Sequence, residues 1–187
     1  MAMLKKISLN ILKALGVFIF VVWTYIFIAS FHDGPLNTGI FFFDVAPGGA
    51  FTSGELVSEE PDWSFAKDIP VVQFQIFDPV SSRTTFIMVH DNRIFIPTGY
   101  MTTWWGKIWK QWPKRALADG RAILRIDGKI YNRSMVRVTN DPVLDGVMGE
   151  LARKYGGGGS DNPEAQKMMR EVLDSGYMWI FELKPRA

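Results

Sequence analysis

The longest uninterrupted apolar run in the chain is Ala14 to Phe31, ALGVFIFVVWTYIFIASF, which carries no charged residue. As a helix rising about 1.5 Å per residue it would span roughly 27 Å, close to one bilayer hydrocarbon core. Apolar character reaches back to Ile7 with only Lys13 as a charged interruption, and a lysine can extend its ammonium to the interface. The pattern then changes. Asp33 to Asp62 is rich in Gly, Pro, Ser and acids around the patch Ile40-Phe41-Phe42-Phe43, which predicts an irregular connector. Alternation begins at Val71–Phe77 (VVQFQIF) and predicts a strand. Thr84–His90 and Arg93–Pro97 follow as two more, joined by a tight Asp91-Asn92 turn. Thr102–Trp112 predicts a short helix that breaks or restarts at Pro113, with Trp105, Trp109 and Trp112 on one face and Lys107 and Lys110 on another. Arg121–Ile126 and Lys129–Val138 predict a hairpin around Asp127-Gly128. Asp141-Pro142 starts a helix running to Tyr155, with Val143, Val147 and Leu151 as its apolar stripe. Pro163 opens a second helix closed by Gly176, and Tyr177–Leu183 is a last strand.

These elements describe an α+β chain: an N-terminal transmembrane helix, then one domain of about six strands with flanking helices. The expected boundaries are an anchor at 1–32 with a short cytoplasmic N-terminus, a membrane-proximal connector at 33–62, and the domain at 63–187. The apolar region is longer than a signal-peptide core, and Ile28-Ala29-Ser30 is a weak cleavage site. Lys5, Lys6 and Lys13 precede the span, whereas His32, Asp33 and an acidic stretch follow it. The positive-inside rule then predicts a single-pass protein of an inner (plasma) membrane with its domain outside the cytoplasm, which in a bacterium is the periplasm. Trp23 and Tyr25 lie deep in the apolar run, where they are expected to face a partner helix. Phe41, Phe42 and Phe43 point to contact with the bilayer interface or a protein partner, with packing beneath the domain as the alternative.

Charge sharpens one stretch. Trp104 to Val138 concentrates nine Lys/Arg against two acids, Asp119 and Asp127, whereas Asp33 to Thr103 holds nine acids against Lys67, Arg83 and Arg93. Arg121, Arg125, Lys129, Arg133 and Arg137 recur at even spacing on the predicted hairpin, which reads as a solvated face or as one meeting anionic headgroups or an acidic partner. With Lys5, Lys6 and Lys13 set aside, the chain has 18 bases against 19 acids, a poor balance for nucleic-acid binding. Cysteine is absent, so disulfides and thiolate metal sites are excluded, and two histidines argue against a multi-histidine metal site. Ser81 and Ser82 lack the setting of a nucleophile elbow. Gly156–Ser160 lacks the Gly-Lys-Ser/Thr ending of a phosphate-binding P-loop. No catalytic set is legible.

The order of elements, together with Lys107–Trp112, Leu117-Ala118-Asp119, Leu124–Gly128 with Tyr131, Val138–Pro142, Lys154-Tyr155 and Phe181–Pro185, resembles the split β-barrel of the pyridoxamine-phosphate-oxidase-like superfamily. The resemblance is to its flavin and deazaflavin nitroreductase-like branch and covers about residues 63–186. It implies a phosphorylated flavin-type cofactor, FMN or a deazaflavin, held by basic and hydroxyl side chains. The positions that look similar here are Arg83, Thr84, Thr85, Lys107 and Arg115, with Trp109 or Trp105 stacking on the ring. It also implies that the barrel can form a homodimer.

Two functions follow as expectations. One is a membrane-anchored accessory subunit whose barrel docks on a larger complex of integral membrane proteins, with the lipid bilayer as its other partner. The other is a membrane-tethered flavin- or deazaflavin-dependent oxidoreductase.

Overall fold

The computed structural model describes residues 2–37, 46–156 and 162–186, with side chains from Leu9 onward. Phe41, Phe42 and Phe43 therefore lie outside the described residues. Helix α1 spans Ala2–Ala29. Its stretch Leu9–Ala29, mean hydropathy 2.3, is by length and composition able to cross a membrane. Its apolar side chains are mostly exposed.

The domain is an eight-stranded sheet curled into a half-barrel and flanked by helices. Its strands are β1 (Glu55–Leu56), β2 (Val71–Ile76), β3 (Ser81–Phe86), β4 (Met88–His90), β5 (Arg93–Thr98), β6 (Arg121–Ile126), β7 (Lys129–Val138) and β8 (Trp179–Pro185). They lie in the order β3-β2-β6-β7-β8-β5-β4, with β1 parallel to β7 and every other pairing antiparallel. The α+β split-barrel expectation holds, with eight strands in place of about six. The predicted strand Thr84–His90 is cut at Ile87: β3 pairs with β2 at one edge of the sheet and β4 with β5 at the other. A chain that leaves one edge and at once joins the opposite edge forces the sheet to curl. Lys154 Nζ fixes the crossing, donating to Ile87 O at 2.8 Å and Ile69 O at 2.7 Å.

Strand alternation sorts side chains into two cores. Val72, Phe74, Ile76, Ala122, Leu124, Ile126, Tyr131, Met135, Phe181 and Leu183 fill the interior. The outer face of the other half, including Met88, Phe95, Val138 and Ile180, packs on α4 (Val143–Tyr155) through Val143, Val147 and Leu151, the predicted stripe. Helix α5 (Pro163–Asp174) is capped by the Asn162 side chain and adds Met169 and Leu173. Both hairpin turns have φ > 0 at their two central residues, Asp91 and Asn92 in one and Asp127 and Gly128 in the other, as two-residue turns require.

The basic hairpin face does not exist as one surface. Arg121 and Arg125 face outward on β6, whereas Arg133 and Arg137 face the same side as buried Tyr131 and Met135 on β7. Arg133 is 1% exposed. It pairs with Glu60 at 2.7 Å and lies against the rings of Trp63 and Tyr131 at 4.9 and 5.4 Å. Trp63 itself is fully buried at the start of a one-turn 3-10 helix, Trp63–Ala66.

The chain just after α1 is clasped to the outer face of β2, β3 and β6. Gly48 exchanges backbone hydrogen bonds with Ser82, Ser82 Oγ donates to Gly49 O at 2.6 Å, and Gly49 N donates to His32 O at 3.1 Å. A Cβ on Gly48 would lie 2.1 Å from Gly34 O, and one on Gly49 would lie 2.4 Å from Ser30 O, so both positions demand glycine. Asp33 accepts from Arg125 Nη1 and Thr52 N, both at 2.8 Å, and from Ser53 Oγ. Arg125 also donates to Gln73 Oε1 and lies 4.1 Å from the Phe51 ring. Burial alone would raise the Asp33 pKa. The hydrogen bonds from Ser53, Thr52 and Arg125, with the Arg125 charge, override it and hold the carboxyl well below the usual range.

The clasp therefore stabilises the fold above the unfolded carboxyl pKa of about 3.9 and weakens as pH falls through the depressed folded value. Thermal melts of the solubilised protein between about pH 5 and pH 2 should show wild-type stability falling with acid. Asp33→Asn, which has nothing to protonate there, should be less stable at pH 5 and should fall less steeply. Parallel pH profiles for the two proteins would refute the clasp.

Candidate anion-binding site

β3 pairs Ser81 with Ile76, Arg83 with Phe74 and Thr85 with Val72, whose side chains are interior, so these three residues of β3 face inward and Thr84 faces out. Two short helices lie over this edge. Helix α2 (Trp104–Trp109) is capped by Thr103, whose Oγ1 accepts from Gly106 N at 3.1 Å. It ends at Lys110, whose ψ of 73° leaves the helical region. The predicted helix to Trp112 is thus two: α3 is Trp112–Ala118, with Pro113 in its first turn. Proline starts that helix rather than ending the one before, because an N–H there would have had no partner. The predicted tryptophan face splits with it. Trp105 and Trp109 stack at 6.2 Å outside, while Trp112 turns inward against Phe74 at 5.0 Å and Phe181 at 5.5 Å.

The break at Lys110 has a chemical consequence. Lys110 Nζ turns back to Gly99 O at 3.4 Å and lies 5.3 Å from the Tyr100 ring. Arg115 reaches from α3 to Ser81 Oγ at 3.4 Å, Phe77 O at 3.3 Å and Pro79 O. Burial and then the Arg115 charge push the Arg83 pKa down to about 10. Burial lowers Lys110 as well, aided by the Arg83 charge. Burial also lowers Arg115, with Asp78 acting in the opposite sense. That aspartate is already paired with Arg121 at 3.2 Å. Among the described residues no carboxylate forms an ion pair with Arg83, Lys110 or Arg115, and the buried Nε atoms of Arg83 and Arg115 have no hydrogen-bond partner. Arg83, inward on β3 with an unpartnered Nε and with the Lys110 and Arg115 charges coupled to it, is a buried cation that an oxyanion would satisfy.

Of the cofactor positions expected from the sequence, the structure brings Arg83 and Arg115 together, with Thr85 on the same strand face. Thr84 is exposed on the other face. Lys107 is exposed, and none of the charge effects on the cluster comes from it. Trp109 is half exposed and stacks on Trp105. Lys110 was not a predicted member, because a helix continuing to Trp112 would have carried it elsewhere. The cluster suits a phosphate group. Two hollows of about 270 and 230 Å³ lie elsewhere, one beside His90 and Glu150, the other beside Arg153 and Tyr155. The phosphate end of a flavin thus has its donors in this chain, while neither hollow offers its ring a seat beside them. Among the described residues no group of three or more His, Asp and Glu is placed to hold a metal.

No protein-family model matches the chain. No curated protein matches it. Solved structures do. A conserved hypothetical protein from Mycobacterium tuberculosis superposes with a TM-score of 0.52 at 14% identity, over 70% of this chain and 82% of that one. HutZ, the heme storage protein from Vibrio cholerae, gives 0.46 at 6% identity, over 66% and 86%. A candidate pyridoxamine 5′-phosphate oxidase from Listeria innocua gives 0.40 at 10% identity, over 66% and 90%. At 14% identity the likeness to the Mycobacterium tuberculosis structure is one of fold.

An anion that binds the folded cluster adds stability that grows with the logarithm of its concentration above its Kd, about 2.7 kcal/mol at a hundred times Kd. Pyrophosphate, with sodium chloride matched for ionic strength, should therefore raise the melting temperature of the wild-type protein. Arg83→Met should melt no lower than wild type without the anion, since a crowded charge is gone, and should lose most of the response. A pyrophosphate response that survives Arg83→Met would remove this cluster as the site.

Proposed function

We propose that the protein is a membrane-anchored accessory subunit: α1 crosses an inner (plasma) membrane once, the N-terminus is cytoplasmic, and the barrel sits on the periplasmic side beside integral membrane partners. The observation that carries this reading is an apolar helix standing clear of the barrel with one edge lined by aligned rings. Trp23 and Phe27 stack at 6.5 Å, Phe27 and Phe31 meet edge to face at 5.1 Å, and all three are exposed. Each large apolar side chain gains about 1.5–3 kcal/mol on leaving water, so such a helix belongs in a bilayer. A ring ladder along a span is a surface that a second helix can pack on, since association in lipid rests on close packing. The lysines before the span support the orientation. Phe41–Phe43 adds a second candidate contact beside the membrane.

A specific observation favours a second reading. The uncompensated Arg83, Lys110 and Arg115 fit the phosphate of a flavin or deazaflavin, as in an oxidoreductase of the nitroreductase-like branch. The bound cofactor would supply the hydride chemistry; these residues would hold its charged end.

Purification from native membranes in mild detergent, followed by an absorption spectrum and mass spectrometry of what accompanies the protein, separates the two. The accessory reading expects a colourless preparation with stoichiometric membrane proteins, lost when Trp23 and Phe27 are both changed to Ala. A stoichiometric flavin-like band, removed by Arg83→Ala, would overturn it in favour of the oxidoreductase.

A further inference from the structure

Helix α2 shows its large side chains to the outside. Trp104 is 76% exposed, Ile108 69% and Trp109 52%, and Trp105 stacks beside Trp109. On a helix of six residues this leaves Gly106 as the one buried position. The exposed charges of Trp104–Ala118 are Lys107 and Lys114, and that segment carries no acid. Indoles and lysines without carboxylates suit the headgroup region of an anionic bilayer, where the ring straddles the apolar boundary and the ammonium meets phosphate.

The position of α2 and α3 in the fold supports that occupant. Arg115 of α3 holds Ser81, and the next residue, Ser82, holds Gly48 and Gly49, which in turn hold His32 beside the end of α1. Ser81 and Ser82 are adjacent on β3 but point to opposite faces, so α3, which follows the indole helix, and the chain leaving α1 meet the same edge strand from its two sides. The clasp at Asp33 and Arg125 makes that junction stiff rather than a loose tether. We infer that the face formed by Trp104, Trp105, Ile108 and Trp109 lies on the bilayer surface around α1, with Lys107 and Lys114 on anionic headgroups. This rests on the anchor reading and adds to it an orientation: the barrel leans its α2 side onto the membrane.

The natural absence of cysteine allows single-site labelling of the full chain. Nitroxides placed by Ile19→Cys, Ile108→Cys and Met168→Cys would be compared in phosphatidylcholine nanodiscs with and without phosphatidylglycerol, reading collision with oxygen and with a water-soluble nickel chelate. Residue 19 reports the span, and residue 168, half exposed on α5, serves as an aqueous reference. The inference expects the label at 19 to be deep, the label at 108 shielded from nickel at headgroup depth, and the label at 168 open to it. Phosphatidylglycerol should increase the shielding at 108, and Lys107→Gln and Lys114→Gln should each lower the docking equilibrium about fivefold. A deep label at 19 with a label at 108 as open as that at 168 would overturn the docking and leave the anchor intact. An open label at 19 would overturn both. Shielding at 108 that comes with dipolar broadening between labels, lost on dilution to one chain per disc, would assign the face to a second copy and overturn the lipid assignment.

Discussion

The architecture depends on where the chain crosses at Ile87. Strands β3 and β4 are separated by this one residue, yet they hydrogen-bond at opposite edges of the sheet. The sheet must curl for both pairings to exist. The crossing leaves the Ile87 carbonyl needing partners other than a neighbouring strand, and Lys154 Nζ and Tyr155 Oη provide them from the end of α4. An unpaired buried carbonyl costs about as much as a lost hydrogen bond. The last turn of a helix far along the sequence is thereby tied to closure of the barrel. Once the sheet is curled, the inward residues of β3 face a packed interior on one side and the short helices α2 and α3 on the other. The cluster of Arg83, Lys110 and Arg115 is a product of that closure.

Most arginines of the sheet are paired with acids, and Arg83 and Arg137 are not. Arginines of the sheet are met by acids where acids are near: Arg125 by Asp33, Arg121 by Asp119 and Asp78, Arg133 by Glu60, and Arg93 by Glu182 at 2.7 Å. Arg137 is met by an aromatic ring, lying 3.8 Å from Trp179. Lys110 and Arg115 have backbone carbonyls, a hydroxyl or a ring in place of a carboxylate. Burying a cation without a counter-charge works against folding, and crowding two more beside it adds to the cost. An anion at the cluster would offset that cost.

Local rules were legible wherever neighbours in sequence are also neighbours in space. Asp127-Gly128 specified its hairpin because both residues adopt φ > 0 readily, and Val143, Val147 and Leu151 named their own core face. The split barrel was legible as an order of elements. What escaped was decided by contacts distant in sequence. The spacing of Arg121, Arg125, Arg133 and Arg137 suggested one face, but the reversal at Asp127-Gly128 leaves β6 and β7 showing opposite parities inward. Nothing in the segment around Asp33 announces its hold on Arg125, because that bond joins residues that only the folded sheet brings together. Lys110 escaped for a related reason: the helix ends before Trp112 because that ring has an interior place to fill.

The tryptophans show the same competition resolved in opposite ways. Trp63 and Trp112 take interior positions, and each meets another aromatic ring within about 5 Å. Trp104, Trp105 and Trp109, a few residues from Trp112, do not follow it inside. A chain selected only for packing could place small polar residues on the outer face of α2 at no loss to the core. The helix instead holds three large rings there, Trp105 against Tyr100 at 4.6 Å, with no acid within Trp104–Ala118. Packing against Tyr100 accounts for Trp105 and leaves Trp104 and the outer side of Trp109 without a partner in the barrel. A surface outside the barrel would supply one, and the clasp between Asp33 and Arg125 makes the orientation of the domain relative to α1 a property of the fold rather than of a flexible linker.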